Sequence, residues 1–185
     1  MKIYFTASVA GKNFYKQNYQ KIFEYFLTYG QSVNNNHFLE VTKQDIANET
    51  DEEARTYYKK MLNWIKTTDL LIAEVSSPSF GVGHEISLAL NEGKPVLALH
   101  VMGKNPYLLE SINDEKLLLM EYNFDNLKEL IKEGVVFAQT QMDTRFTMIL
   151  SPKIKKHLDN ISKAGVSRSK YIRNLIQKDI EKKKL

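Results

Sequence analysis

The chain has 185 residues, 43% of them hydrophobic, with no cysteine and a formal net charge of +4, enough for one α/β domain of ordinary size and a small appendage. The lack of cysteine excludes disulfides and thiolate zinc sites and fits a reducing cytoplasm; no apolar run reaches membrane length and no signal-peptide pattern is present, so no membrane partner is expected. The charge is unevenly divided: residues 144–185 carry twelve Lys and Arg against three Asp and Glu, net +9, and the first 143 residues are net −5, which predicts two modules with different partners, the basic one suited to a polyanion.

In chain order, Lys2–Ala7 predicts a first strand, and residues 16–28 a helix with Ile22, Phe23, Tyr25 and Phe26 as its apolar stripe, ended by Gly30. Residues 34–36, all Asn, read as an exposed turn before a second strand over 38–41. Thr50, three residues before Glu53, has the spacing of a capping box and opens a helix carrying Tyr57, Met61 and Trp64. Residues 70–75 form an apolar run suited to a strand buried on both faces; its only charge, Glu74, is expected in an ion pair. Ser76, Ser77, Pro78 and Ser79 stop it. Gly81 and Gly83 then let backbone approach a ligand before a helix over 86–91, which places Glu85 at the helix start. Residues 95–101 and Leu117–Tyr122 supply two more strands and 126–132 a closing helix. This alternation predicts an α/β domain over 1–133, a doubly wound, flavodoxin- or Rossmann-like parallel sheet with its site at the strand C-termini. Residues 134–143 read as a linker.

Four blocks in order carry a family resemblance: Lys2-Ile3-Tyr4-Phe5 leading to Ser8 and Gly11; residues 62–69, LNWIKTTD; Ala73-Glu74-Val75; and residues 78–85, PSFGVGHE. Together they resemble the nucleoside 2-deoxyribosyltransferase superfamily, which includes the 2'-deoxynucleoside 5'-monophosphate N-hydrolases. The resemblance implies that Glu85 attacks the anomeric carbon of a deoxyribose while the base leaves. Cleaving an N-glycosidic bond builds positive charge on the sugar, and a carboxylate on the opposite face stabilises or captures it. Ser8, Gly11, Ser79 and Gly81 would then surround the sugar or phosphate. Tyr4 is either core or near the ligand; Trp64 is expected in the core.

Two positions depart from the family pattern. An aspartate normally precedes the LNxIKTxD block, where this chain has Met61, and a thioether neither holds a proton nor accepts a strong hydrogen bond. Either another group substitutes, with Tyr57 one turn upstream and Asp51, Glu52 and Glu53 at the start of the same helix as candidates, or the pocket binds nucleotides with little or no turnover. In the first loop Ala10 stands where the monophosphate hydrolases carry arginine. Lys12 either supplies a point charge for a phosphate or belongs to an ordinary solvated turn. His37, His84, His100 and His157 show no ligand spacing, so no metal is expected, nor any cofactor.

In the basic module, residues 144–150 alternate as a strand. Ser151-Pro152 starts a helix with Ile154, Leu158 and Ile161 as its stripe, Gly165 closes it, and Ser167 caps a second helix with Ile172, Leu175 and Ile176. This order resembles the ribbon-helix-helix DNA-binding domain, which implies a homodimer or higher homo-oligomer joined through an antiparallel two-stranded ribbon. With Phe146, Met148 and Leu150 inward, Arg145, Thr147 and Ile149 would face bases in the major groove. Ser167, Arg168 and Ser169 would hold a phosphate at a helix N-terminus. The alternative is a segment that only dimerises. The function expected is cleavage or transfer at the N-glycosidic bond of a deoxynucleoside or its 5'-monophosphate, or a nucleotide-sensing DNA-binding regulator built on the same pocket.

Overall fold

The computed structural model describes residues 1–34, 40–141, 148–163, 165 and 167–183. Two compact units are present, 1–143 and 144–185. The first is built from β1 (Lys2–Ala7), α1 (Lys12–Phe26), β2 (Gln31–Ser32), α2 (Lys43–Ala47), α3 (Asp51–Thr67), β3 (Leu70–Glu74), α4 (Phe80–Asn91), β4 (Val96–Val101), α5 (Tyr107–Glu110), β5 (Leu117–Tyr122) and α6 (Leu127–Gln141). All strands are parallel, in the order β2-β1-β3-β4-β5. This is the doubly wound, flavodoxin-like arrangement that the alternating pattern predicts. The order in which strands are added reverses between β1 and β3, where such sheets open a crevice at the strand C-termini.

β3 is buried along its whole length, because helices cover both faces of the sheet. One face packs Ile3, Phe5, Leu70, Ile72, Leu97 and Leu99 against α1 and α6. The other packs Tyr4, Leu71, Ala73 and Val96 against Met61, Ile65, Val82 and Ile86. α3 starts with the predicted capping box: the Thr50 hydroxyl accepts from the Glu53 amide, and the Glu53 carboxylate accepts from the Thr50 amide.

Several boundaries differ from the sequence expectation. The second sheet strand is Gln31–Ser32 beside Lys2 and Ile3; of the predicted strand 38–41, Phe38 and Leu39 lie outside the described residues. Asn34 is no exposed turn residue: it is buried, its amide donates to the Phe5 carbonyl at 2.7 Å, and its Oδ1 accepts from Ser32. Asn35 and Asn36 lie outside the described residues. Residues 134–141, read as linker, are the second half of α6. Gly134, which breaks the sequence pattern, lies so close to β4 that a Cβ there would stand 2.4 Å from Leu97 Cδ2; the glycine is a packing contact rather than a helix terminator.

In the second unit α7 (Pro152–Lys163) and α8 (Arg168–Lys183) follow the predicted boundaries. Gly165 between them has φ +86°, a conformation that favours glycine. His157 Nε2 meets Tyr171 Oη at 3.2 Å and Asp159 pairs with Arg168 at 2.8 Å, tying the helices together. Of the predicted strand, 144–147 lie outside the described residues, while 148–150 have no regular structure and Ile149 is fully exposed.

Candidate functional site

Ser79 caps α4, its hydroxyl accepting from the Val82 amide. The helix therefore starts at Phe80, and Glu85 sits in its second turn rather than at its first residue. Gly81 and Gly83 are helical. No heavy atom lies within 4 Å of a Cβ built on Gly83, and only Ser79 Oγ, at 3.9 Å, near one on Gly81. They leave the helix surface bare instead of forming a turn.

Glu85 is 8% exposed, and one of its oxygens, Oε2, is buried without a hydrogen-bonding partner among the described residues. Burial pushes its carboxyl up to about 7, opposed in part by the hydroxyls of Thr6 and Tyr4. A carboxylate in this setting is poised near neutral pH and under-solvated, the condition that favours a nucleophile or proton carrier. Tyr4 is buried, and its phenol is held well above the ordinary range by burial and by the negative charge of Glu85. Its hydroxyl also meets that of Tyr57, pushed up to about 12 by burial and then by Glu85. Tyr57 therefore keeps its proton at neutral pH and can donate but not accept one as a base.

Tyr57 and Trp64, with ring centroids 6.1 Å apart, line a cleft of about 1250 Å³ together with Val9 after β1, Val33 and Asn34 after β2, and residues of α2 and α3. Trp64 is half-buried, with one side on the core and one on the cleft, not wholly core as expected. Glu85 does not itself line this cleft; Tyr4 connects them, meeting both Tyr57 and Glu85. The wall is acidic, with Glu40, Asp45, Glu49, Glu52 and Glu53 against Lys60.

The first loop is a tight buried turn. Ser8 is 2% exposed, and its carbonyl and hydroxyl both accept from the Gly11 amide, at 3.0 and 3.2 Å. A Cβ on Gly11 would stand 2.3 Å from Tyr19 Oη and 2.7 Å from Ser77 Cβ, so only glycine lets the loop approach the turn after β3. The Lys12 ammonium donates to the Val41 carbonyl, which ties α1 to the cleft rim. Met61 is buried among the apolar side chains of Tyr4, Ile65 and Ile86. Glu53 is committed to the α3 cap, and Asp51 and Glu52 stand two to three turns from Met61, roughly 12–15 Å along the axis; Tyr57, one turn away, is the nearer substitute.

Sequence reasoning passed over Thr6 and the surroundings of Glu74. Thr6 shares the face of Tyr4 by the two-residue strand period, which was the available signal. Glu74 is fully buried but makes no ion pair among the described residues; hydroxyls hold it instead. Oε1 accepts from Ser76 and, at 3.1 Å, from Tyr122, and Tyr19 stands against the same carboxyl.

In the basic unit Arg145 and Thr147 lie outside the described residues. Arg168 is paired with Asp159, and Ser167 precedes α8 with its carbonyl accepting from Tyr171. Ser169 lies in the first turn of α8. Leu158 is the one buried hydrophobic of this unit among the described residues, while Ile154, Leu175, Ile176 and Ile180 are 44–57% exposed. No helix among the described residues is long and apolar enough to cross a membrane.

No protein-family model matches the chain. It is 34% identical over 131 residues to a protein of Syntrophotalea carbinolica, covering 70% of this chain and 89% of that one, and 30% identical over 136 residues to one of Nematostella vectensis, covering 70% and 90%. Both relatives are named "Putative 2'-deoxynucleoside 5'-phosphate N-hydrolase 1". The structure of a CMP N-glycosidase from Clostridium botulinum superposes with a TM-score of 0.52 over 74% of this chain and 99% of that one, at 18% identity, a likeness of fold.

Proposed function

The chain belongs to the family of 2'-deoxynucleoside 5'-phosphate N-hydrolases, and from that premise we propose that it cleaves the N-glycosidic bond of a deoxynucleoside 5'-monophosphate with Glu85 as nucleophile. The observation that carries this reading is the Glu85 carboxylate, buried at the C-terminal edge of the sheet with Oε2 unpartnered beside Tyr4 and Thr6. An ionised Glu85 oxygen forms a bond to the anomeric carbon as the carbon–nitrogen bond breaks. The base leaves with the bonding pair and a proton, which Tyr57 can donate. Water then attacks the same carbon and gives its proton back to the Tyr57 phenolate, as the carbon–oxygen bond to Glu85 breaks, which releases the sugar phosphate and restores the carboxylate. A free deoxynucleoside as substrate, or a second base in place of water, uses the same step.

Electrostatics supports one orientation. The acidic cleft wall repels a phosphate, whereas the amino end of α4 at Ser79 and Gly81 attracts one. The phosphate therefore lies toward that helix end and the Ser8–Gly11 turn, and the base toward Tyr57 and Trp64. Lys12 contributes its charge from beside this turn, not from a fork like that of arginine.

The burial of Met61 in apolar surroundings favours a second reading, in which the pocket binds nucleotide with little turnover. The basic unit then acts as a ribbon-helix-helix dimer on DNA. The exposed Leu175, Ile176 and Ile180 with the +9 charge support pairing with a second copy and contact with a polyanion. With Arg168 held by Asp159, the phosphate contact falls to Ser167 and Ser169, and base contact stays with Arg145 and Thr147. Incubation with each deoxynucleotide, followed by chromatography for free base, tests the enzyme. Base release by the wild type that is lost in Glu85→Gln supports catalysis. Release only in Met61→Asp identifies a silenced pocket, and no release from either overturns the hydrolase reading.

A further inference from the structure

The first loop rests on the Glu74 hydroxyl cage. In sheet register Glu74 stands beside Ala7, the residue before Ser8, on the face opposite Glu85 and among the α1 and α6 side chains. Ser76 Oγ accepts from the Val101 amide at 2.8 Å and so spends its own proton on Glu74 Oε1. Tyr122 donates to the same oxygen. Tyr19 is different, because its hydroxyl donates to the Ser8 carbonyl at 3.3 Å and also stands against the Glu74 carboxyl. It has one proton and two acceptors.

We propose that Glu74 is a positioning residue for nucleotide binding, which sets the turn of residues 8–11 through Tyr19. Protonated, Glu74 supplies its own hydrogen bond to the cage and leaves the Tyr19 proton on the Ser8 carbonyl. Ionised, it has only acceptors, draws the Tyr19 proton to itself and releases Ser8. Gly11 transmits the change, because its amide bonds to both Ser8 oxygens and its α-carbon packs against Tyr19 Oη and Ser77. The groups facing Glu74 are hydroxyls from α1 (Tyr19), β5 (Tyr122) and the turn after β3 (Ser76), with Asn18 on Tyr122 and Tyr15 beside Tyr19. Neighbouring strands offer Ala7 and Leu99 in register. Burial in this cage pushes the carboxyl up to about 7, so both forms are populated near neutral pH.

This inference rests on the reading of residues 8–11 as part of the nucleotide site. Its test joins a loop readout to a binding readout in the full chain. The Gly11 amide resonance is followed from pH 5.5 to 8.5 in the wild type and in Glu74→Gln, Tyr19→Phe and Glu85→Gln. It should titrate near pH 7 in the wild type and in Glu85→Gln, and stay fixed in Glu74→Gln and Tyr19→Phe. Binding of dCMP and dUMP should weaken at least threefold from pH 6 to 8.5 in the wild type relative to Glu74→Gln; the phosphate's own second ionisation, near pH 6, is common to both and cancels. A Gly11 titration that survives in Glu74→Gln and Tyr19→Phe, or a pH dependence of binding equal in wild type and Glu74→Gln, overturns the role of Glu74 alone. Failure of the wild type to bind either nucleotide at either pH overturns the site reading and this role with it.

Discussion

Replacing Glu85 by glutamine should stabilise the protein above neutral pH and not below pH 4.5. In the folded chain the Glu85 carboxyl is raised from the ordinary value of 4.5 to about 7 by burial. Between those two values the folded state binds the proton that the unfolded state has lost, so wild-type stability falls as pH rises through this window. Raising the carboxyl from 4.5 to about 7 penalises the folded state by about 3 kcal/mol, at about 1.4 kcal/mol for each tenfold change in proton affinity, a penalty absent below 4.5 and complete above 7. Glutamine fills the same space and cannot ionise. Urea unfolding at pH 4.5 and 8, followed by the fluorescence of Trp64, the single tryptophan, measures the stability gap between variant and wild type. That gap should widen by about 3 kcal/mol toward pH 8, a large part of the 5–15 kcal/mol typical of a domain. Glu74 loses stability in the same window but does so in both proteins, so the comparison removes it. A gap that is the same at both pH values would show that Glu85 is not buried as a strained carboxyl, and would undermine its role as nucleophile.

With Glu85 as the proposed nucleophile, which acts ionised, kcat/KM for nucleotide cleavage should rise roughly tenfold per unit up to about pH 7 and above it fall by the factor that Glu74 ionisation takes from binding, as a steady-state pH profile will show. Gly11→Ala forces a methyl to 2.3 Å from Tyr19 Oη; thermal unfolding should report a loss of about 1–3 kcal/mol, with weaker nucleotide binding by calorimetry. Met61→Asp places a carboxyl in an apolar cluster and should cost on the order of 3 kcal/mol in urea unfolding, while base release rises if proton handling limits turnover. For the basic unit, affinity for DNA should fall steeply between 50 and 200 mM salt and drop further in Arg145→Ala by fluorescence anisotropy. Indifference to both would leave that unit a dimerisation element.

Much of the fold was legible because the signals are local. Thr50 and Glu53 name a helix start by themselves, Leu70–Glu74 is too apolar to be anything but a doubly covered strand, and Leu117–Tyr122 is a short, nearly continuous apolar run. The errors came where a distant contact overruled a local cue. Gly134 looks like a helix breaker until Leu97 is found against it. Asn34 looks like a turn residue until its amide is seen clamping the Phe5 backbone, and Gln31–Ser32 is too short to carry a strand pattern at all.

The sequence by itself picked out the candidate residues: a glutamate preceded by two glycines, the tyrosines at 4 and 57, a methionine where the family pattern has an aspartate, and a basic C-terminal module. Only the tertiary structure decided their electrical state. Glu85 and Glu74 are both carboxyls raised to about 7 by burial, and each has an Oε2 without a hydrogen-bonding partner among the described residues, yet Glu85 stands beside Tyr4 and Thr6 while Glu74 is held by hydroxyls drawn from α1, β5 and the turn after β3. A carboxyl's affinity for its proton depends on the dipoles and the dielectric around it, and Tyr4, 81 residues before Glu85, and Tyr19, 55 residues before Glu74, reach these carboxyls only once the sheet has closed.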